Sequence, residues 1–271
     1  MRKQQFQELL QRKGCELYRD MPWRQDTRPY YILVSELMLQ QTQVARVVPK
    51  FERFIAQFPD ETTLADASLA EVLVQWQGLG YNRRAKFLWQ AAQMVVREYS
   101  GQFPRDIQGL LSLPGVGKNT AGAIMAYAHN QPSIFIETNI RTVYIHHFFQ
   151  DATTVTDTEI AKKLQATLDC ENPRTFYWAL MDYGAYLKSQ GIKTNSRSQQ
   201  YKKQSKLEGS IRQVRGQIVK ALAEHTQLSQ RDLRRLLEAD DRFDIAMQGL
   251  IRDGIICVEH DEATLCSQKM I

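Results

Sequence analysis

The chain has 271 residues, 43% of them hydrophobic, enough for one large domain or two modest ones around a real core. No stretch approaches the roughly 20 apolar residues a membrane helix needs. Residues 1–6 lack the apolar run of a secretory leader, so a cytoplasmic setting without membrane contact is expected. The net charge of +5 suits a polyanionic partner. Its distribution is sharper, because residues 186–220 hold nine Lys/Arg and one acid, Glu208. That run suits either phosphate contact or a solvated linker. Cys15, Cys170, Cys257 and Cys266 show no C-x-x-C spacing, which argues against a zinc site, an iron–sulfur cluster or a disulfide scaffold. Buried or inert thiols are expected.

The apolar periodicity predicts helices almost throughout. The first spans 4–19. A loop bracketed by Pro22 and Pro29 follows, then a buried helix over 31–41. Helices over 44–58, 69–77 and 82–99 come next, the first stopped by Pro59 and the second by Gly78-Leu79-Gly80. Two helices, 107–113 and 118–129, flank Pro114-Gly115-Val116-Gly117. Further helices are predicted over 140–149, 158–168 and 174–188. Short loops between so many helices indicate an all-α globular domain over 1–188. Residues 189–209 are polar and basic and read as a linker. Residues 210–271 then show three helical segments, 211–224, 230–238 and 241–253, and a hairpin formed by 255–259 and 263–267. A capping box at Ser229–Asp232 opens the second. Three helices and a hairpin give a small winged-helix-like α+β domain.

Leu113-Pro114-Gly115-Val116-Gly117-Lys118 is the first informative motif. Its two glycines permit positive φ and close backbone approach. The next helix opens near Lys118-Asn119-Thr120, whose amides have no intrahelical partner and suit a phosphate. A tight connection between two helices is the plainer reading. Two acids stand out. Glu36 interrupts the apolar run Ile32-Leu33-Val34-Ser35-Glu36-Leu37-Met38-Leu39, where desolvation would help it hold a proton for transfer. It also fits a structural Glu on an exposed stripe. Glu137 follows Pro132-Ser133-Ile134-Phe135-Ile136 and fits a helix-capping acid as well as a catalytic one. Breaking a glycosidic bond needs leaving-group activation and stabilisation of an oxocarbenium-like sugar, work that carboxyl groups commonly share.

Five ordered segments resemble the helix-hairpin-helix base-excision DNA glycosylases, and within them the adenine DNA glycosylases of the MutY family. They are Pro22-Trp23-Arg24, the stretch Ser35-Glu36-Leu37-Met38-Leu39-Gln40-Gln41-Thr42-Gln43-Val44, Gly78-Leu79-Gly80-Tyr81, the Leu113–Lys118 hairpin, and Met181-Asp182-Tyr183-Gly184-Ala185. The resemblance implies a two-lobed helical fold and a partner of double-stranded DNA holding a mispaired or damaged base. It implies a nucleoid-associated monomer that extrudes the base before cutting. Glu36 then protonates the departing base, and Gln41 and Thr42 enter the vacated position. Tyr81 becomes a wedge between base pairs, which its flat amphipathic ring suits. Arg24 and the hairpin residues Leu113, Gly115, Gly117, Lys118, Asn119 and Thr120 join the DNA-binding set, and a monovalent cation in the hairpin loop is implied. Asn139 matches a family asparagine that orients the second acid or a water.

Four departures bear on the reading. The family's second carboxylate is an aspartate, and Glu137 stands there. Bifunctional relatives carry a nucleophilic lysine where Asn119 stands, and an amide forms no Schiff base, so a monofunctional enzyme using water is expected. The four-cysteine cluster loop of typical members falls at residues 188–198, which hold no cysteine, so no iron–sulfur cluster is expected. Typical adenine glycosylases also carry a C-terminal reader of 8-oxoguanine; the winged-helix-like segment stands in its place, with DNA contact and docking on the glycosylase body both open. The expectation is excision of adenine opposite guanine or 8-oxoguanine. Excision of thymine or uracil opposite guanine, hypoxanthine or an oxidised base, and a silent mismatch binder, are the alternatives.

Overall fold

The computed structural model describes residues 1–201 and 206–267. In chain order the helices are α1 (Lys3–Glu16), α2 (Pro22–Gln25), α3 (Pro29–Leu39), α4 (Val44–Gln57), α5 (Glu61–Asp66), α6 (Leu69–Trp76), α7 (Arg83–Glu98) and α8 (Ile107–Ser112). There follow α9 (Lys118–Tyr127), α10 (Thr138–Phe148), α11 (Asp157–Thr167), α12 (Pro173–Ser189) and a 3-10 turn, Thr194–Arg197. The C-terminal segment runs α13 (Ile211–His225), β1 (Gln227–Ser229), α14 (Gln230–Leu236), α15 (Arg242–Arg252), β2 (Ile256–Glu259) and β3 (Glu262–Leu265). The fold is the expected helical one with a small sheet at the end. Two short α-helices differ from the expectation. The loop at Trp23 and Arg24 is the helical turn α2, and α5 forms where the Asp60 side chain accepts from the Thr63 amide at 2.7 Å directly after Pro59.

Packing groups the described residues into two compact units that do not follow the expected division 1–188, 189–209 and 210–271. One contains 1–32, 104–112 and the stretch from 116 to 201, the other 33–103, 113–115 and 206–267. The break between them falls inside α3 and again inside the hairpin.

In the first unit, α12 packs on α1 and α10. Phe6 is fully buried and meets Tyr144 and Phe148 edge-on, with ring centroids 5.3 and 4.9 Å away. Full burial of such a side chain contributes about 1.5–3 kcal/mol. Gly184 lies against the backbone of Asn139, so a Cβ there would collide with that carbonyl. The glycine of the Asp-Tyr-Gly-Ala segment therefore lets α10 approach α12. Asp182, two residues earlier, has a side chain 1% exposed and receives Arg24 in a bidentate pair, Nη1 to Oδ2 at 2.7 Å and Nη2 to Oδ1 at 3.0 Å. Arg19 adds an Nε bond of 2.6 Å.

Residues 189–201, expected to be linker, are instead fastened to α10. Asn195 donates to the Thr142 hydroxyl at 2.7 Å, and Arg197 donates to the carbonyls of Phe149, Gln150 and Ala152. Hydrogen bonds rather than apolar burial hold the segment, which is why its composition reads as a linker. Lys202 and Lys203 of the basic run lie outside the described residues.

The second unit turns on one buried arginine. The last carbonyls of a helix have no intrahelical partner. At the end of α3, Thr42 supplies its amide to the Leu39 carbonyl, and Gln41 takes a left-handed φ of 56°. Arg84 supplies the rest. Its Nη1 donates to the carbonyls of Leu37, Met38 and Gln40 at 2.5–3.0 Å. Its Nη2 donates to those of Leu79 and Gly80 at 2.9 and 3.0 Å. Burial pushes this guanidinium down to about 10, so it keeps its charge at neutral pH.

The C-terminal segment belongs to this same unit. Helix α13 packs on α6 and α15, and Asp253 receives Arg215 at 2.5 Å while its carbonyl receives Lys86 at 2.7 Å. The hairpin is part of a three-stranded antiparallel sheet in the order β1-β3-β2, because Gln227–Ser229 pairs with β3. The thiols depart from expectation. Cys257 and Cys266 form a disulfide across the hairpin, with Cα atoms 5.3 Å apart, and Cys15 and Cys170 are exposed. Strand register brings the pair together, and register is invisible in cysteine spacing.

Two stability predictions arise. Asp182→Ala leaves two arginines facing a vacated buried site, and urea denaturation should show a loss of about 3–5 kcal/mol. Arg84→Met orphans five carbonyls at once. It should cost about 3 kcal/mol or more in the same assay and expose residues 78–84 to limited proteolysis.

Candidate active site

Helix α3 is buried nearly all round. Residues 32–35, 37 and 38 are buried, and Glu36 alone in that run is half-buried. There is thus no exposed stripe for Glu36 to occupy. Arg84 fixes the end of the same helix and the Gly78–Tyr81 turn with a single side chain. Tyr81 opens from that turn in a left-handed conformation, φ 50°. Its hydroxyl donates to Gln41 Oε1 at 2.6 Å. Two residues in the strained left-handed region, Gln41 and Tyr81, therefore face each other, and Thr42 lies beside them, half-buried. Guanidinium groups approach the Tyr81 ring at 5.5 Å from Arg84 and 5.0 Å from Arg212.

Leu113 is 2% exposed, so its side chain anchors the hairpin rather than offering a contact to DNA. Gly115 adopts φ 78°, and a Cβ there would run into the Phe87 side chain. Glycine is required at this turn on both counts.

In the other unit, Gly117 is the N-cap of α9, and Gly117, Lys118 and Asn119 are exposed. The amides of Lys118, Asn119 and Thr120 start the helix and have no partner within it. Thr120 is 7% exposed, so its side chain packs inside the fold rather than presenting itself. The Asn119 side chain forms a two-way bridge to Ile136. It donates to the carbonyl at 2.9 Å and accepts from the amide at 3.3 Å. This amide pair holds the extended residues that lead directly into Glu137. Glu137 occupies the N-cap of α10, half-buried, yet its carboxylate makes no capping bond to the helix amides. Two residues on, the Asn139 Oδ1 is buried without a hydrogen-bond partner among the described residues. An acid and a buried acceptor thus stand on the first turn of one helix, able to orient water and to face a cation.

Arg24 is the clear correction to the expected DNA-binding set. Its side chain is 3% exposed and committed to Asp182 and the Arg19 carbonyl. A guanidinium so enclosed cannot reach a phosphate. Arg84 and Arg212, in turn, are residues the sequence reading passed over. Arg84 carried a signal, because it shares a helix face with Leu88 and Ala91, and a lone arginine on an apolar stripe needs a buried partner. Arg212 carried none, since its position against Tyr81 depends on how α13 packs.

Comparison with known proteins shows what the chain is similar to. An adenine DNA glycosylase of Mycolicibacterium smegmatis is 34% identical over 262 residues, covering 88% of each chain. One from Buchnera aphidicola (subsp. Baizongia pistaciae) is 36% identical over 171 residues, 62% of this chain and 48% of that protein. The chain spans about half the length of the Buchnera relatives it matches. Among solved structures, a thermostable thymine-DNA glycosylase superposes with a TM-score of 0.64 at 24% identity, covering 72% of this chain and 94% of that one, a likeness of fold. Residues 34–169 match the HhH-GPD superfamily of base excision DNA repair proteins, and the chain belongs to that superfamily.

Proposed function

We propose that the protein is a monofunctional adenine DNA glycosylase that hydrolyses the N-glycosidic bond of adenine opposite guanine or 8-oxoguanine in duplex DNA. The observation that carries the reading is Glu36, half-buried in an otherwise buried helix whose end is tied to the Tyr81 turn. Tyr81 wedges the duplex while Gln41 and Thr42 enter the space left by the extruded adenine. Glu36 gives its proton to the adenine ring as the C1′–N9 bond breaks, and the bonding electrons leave with the base. Glu137 faces the cationic sugar and takes the proton released as water, held with the help of Asn139, attacks C1′. Free adenine and an abasic sugar result. Asn119 is tied to the Ile136 backbone and offers no amine, so no Schiff base forms and the strand stays intact. The exposed Lys118 and the first amides of α9 grip a phosphate, aided by the helix dipole, and the loop before them is the proposed seat of a monovalent cation.

The iron–sulfur cluster of typical members does not fit this chain. Residues 188–198 hold no cysteine, two of the four cysteines are joined as a disulfide, and the 3-10 turn there is fastened by side-chain hydrogen bonds. The reading is therefore a cluster-free enzyme working as a nucleoid-associated monomer. Among the described residues no helix is long and apolar enough to cross a membrane.

Single-turnover excision on duplexes containing A:8-oxoguanine, A:G, T:G, U:G and hypoxanthine pairs tests the reading, each product scored with and without alkali. Adenine release that yields strand breaks only with alkali is the expected result. Release of another base would keep the fold and overturn the substrate, a reading Glu137 in place of aspartate would then favour. Glu36→Gln preserves shape and removes the proton. It should lower the rate by about 10²-fold or more while duplex affinity holds. Undiminished turnover would remove Glu36 from the reaction.

A further inference from the structure

Glu137 is the N-cap of α10, and its carboxylate makes no capping bond to the amides of the first turn. The backbone of that turn therefore decides where the acid starts from. The turn is set from outside the helix. Thr142, fully buried one turn further on, donates its hydroxyl hydrogen back to the Thr138 carbonyl at 2.9 Å. Back-bonding of this kind bends a helix, so the rotamer of Thr142 shapes the residues that carry Glu137 and Asn139. Asn195 holds that rotamer, because its Nδ2 donates to Thr142 Oγ1 at 2.7 Å. A hydroxyl has one hydrogen, and Thr138 receives it. Thr142 can then only accept from Asn195, which fixes the orientation of the amide. Thr194, the preceding residue, donates to the Thr142 carbonyl at 3.2 Å.

The 3-10 turn Thr194–Arg197 holds α10 at both ends by different chemistry. Arg197 closes the far end through the carbonyls of Phe149, Gln150 and Ala152, a task that any cation near a helix C-terminus can perform. The Asn195 contact is of another kind. Its Oδ1 is buried without a hydrogen-bond partner among the described residues, and so is the Oδ1 of Asn139, three residues before Thr142 on α10. Burying an acceptor unpaired is costly, and a side chain that serves only as a staple has no use for one.

We propose that Asn195 is a positioning residue for the second acid. Through the Thr142 hydroxyl and the Thr138 carbonyl it sets the first turn of α10, and with it Glu137 and Asn139, in the geometry that water attack on C1′ requires. Asn195 touches no substrate, and its role rests on the glycosylase reading above. Misplacing a reacting group by about 1 Å can cost roughly 10²-fold in rate, so the relay acts on the chemical step and not on duplex binding.

Single-turnover excision of adenine opposite 8-oxoguanine, with enzyme in excess over a range of concentrations, separates the saturated rate from the half-saturating concentration. Asn195→Ala removes the donor, and Thr142→Val removes the hydroxyl from the helix side. Each should lower the saturated rate by about tenfold and leave the half-saturating concentration within about twofold. The double variant should be no slower than the slower single one, because both changes break the same relay. Arg197→Met, which loosens the segment at the far end of α10, should lower the urea midpoint and keep the wild-type rate. Four results would overturn the role of Asn195. They are a wild-type rate in either single variant, a loss confined to the half-saturating concentration, additive losses in the double variant, or an equal slowing in Arg197→Met. These outcomes are read in the variants alone. A wild-type protein that releases no adenine would instead strike the glycosylase reading, and this inference with it.

Discussion

A single buried guanidinium organises the second unit. Arg84 gives up bulk water for five backbone carbonyls, three at the end of α3 and two in the Gly78–Tyr81 turn. Neutral hydrogen bonds would hold either segment less firmly, since bonds from a charged donor are roughly twice as strong. The charge also suits the negative end of the α3 dipole. Because both segments hang on the same side chain, the acid on α3 and the tyrosine of the turn keep a fixed relation. That fixity allows Gln41 and Tyr81 to stay in left-handed backbone conformations, each of which costs free energy unless its surroundings impose it.

The first unit solves an equivalent problem with different means. There the acid at the start of α10 is placed by approach rather than by charge. Gly184 removes the Cβ that would keep α10 off α12, and the Asn119 amide bridges to Ile136 just before Glu137. Asp182 and Arg24, both almost fully buried, secure α12 to the N-terminal segment. Residues that resemble recognition motifs in sequence thus divide between two tasks. Some stand at a half-buried or exposed helix start, as Glu137 and Lys118 do, and others, such as Arg24, Leu113 and Gly184, are packed inside and hold the fold in place.

The C-terminal segment packs into the second unit as part of the same compact body. Asp253 binds it to α7 through Lys86 and Arg83 and ties it internally to α13 through Arg215, and the Cys257–Cys266 bridge closes its hairpin. The result sets the basic first turn of α13 against Tyr81, where charge and amide groups meet an aromatic ring.

The sequence by itself determined the helical class and nearly every long helix to within a few residues, and it singled out Glu36, Glu137 and Tyr81 as candidates. Those signals are local. Apolar period, capping residues and turn glycines act over a few positions, and the motif at Ser35–Val44 is contiguous. Tertiary structure alone decided that Arg24 is buried rather than exposed, and that residues 189–201 dock rather than dangle. The same holds for the pairing of Cys257 with Cys266 and the contact of Arg212 with Tyr81, 131 positions apart. Each of these depends on which distant groups satisfy a buried charge, a carbonyl or a strand edge, and one-dimensional spacing carries no record of that choice.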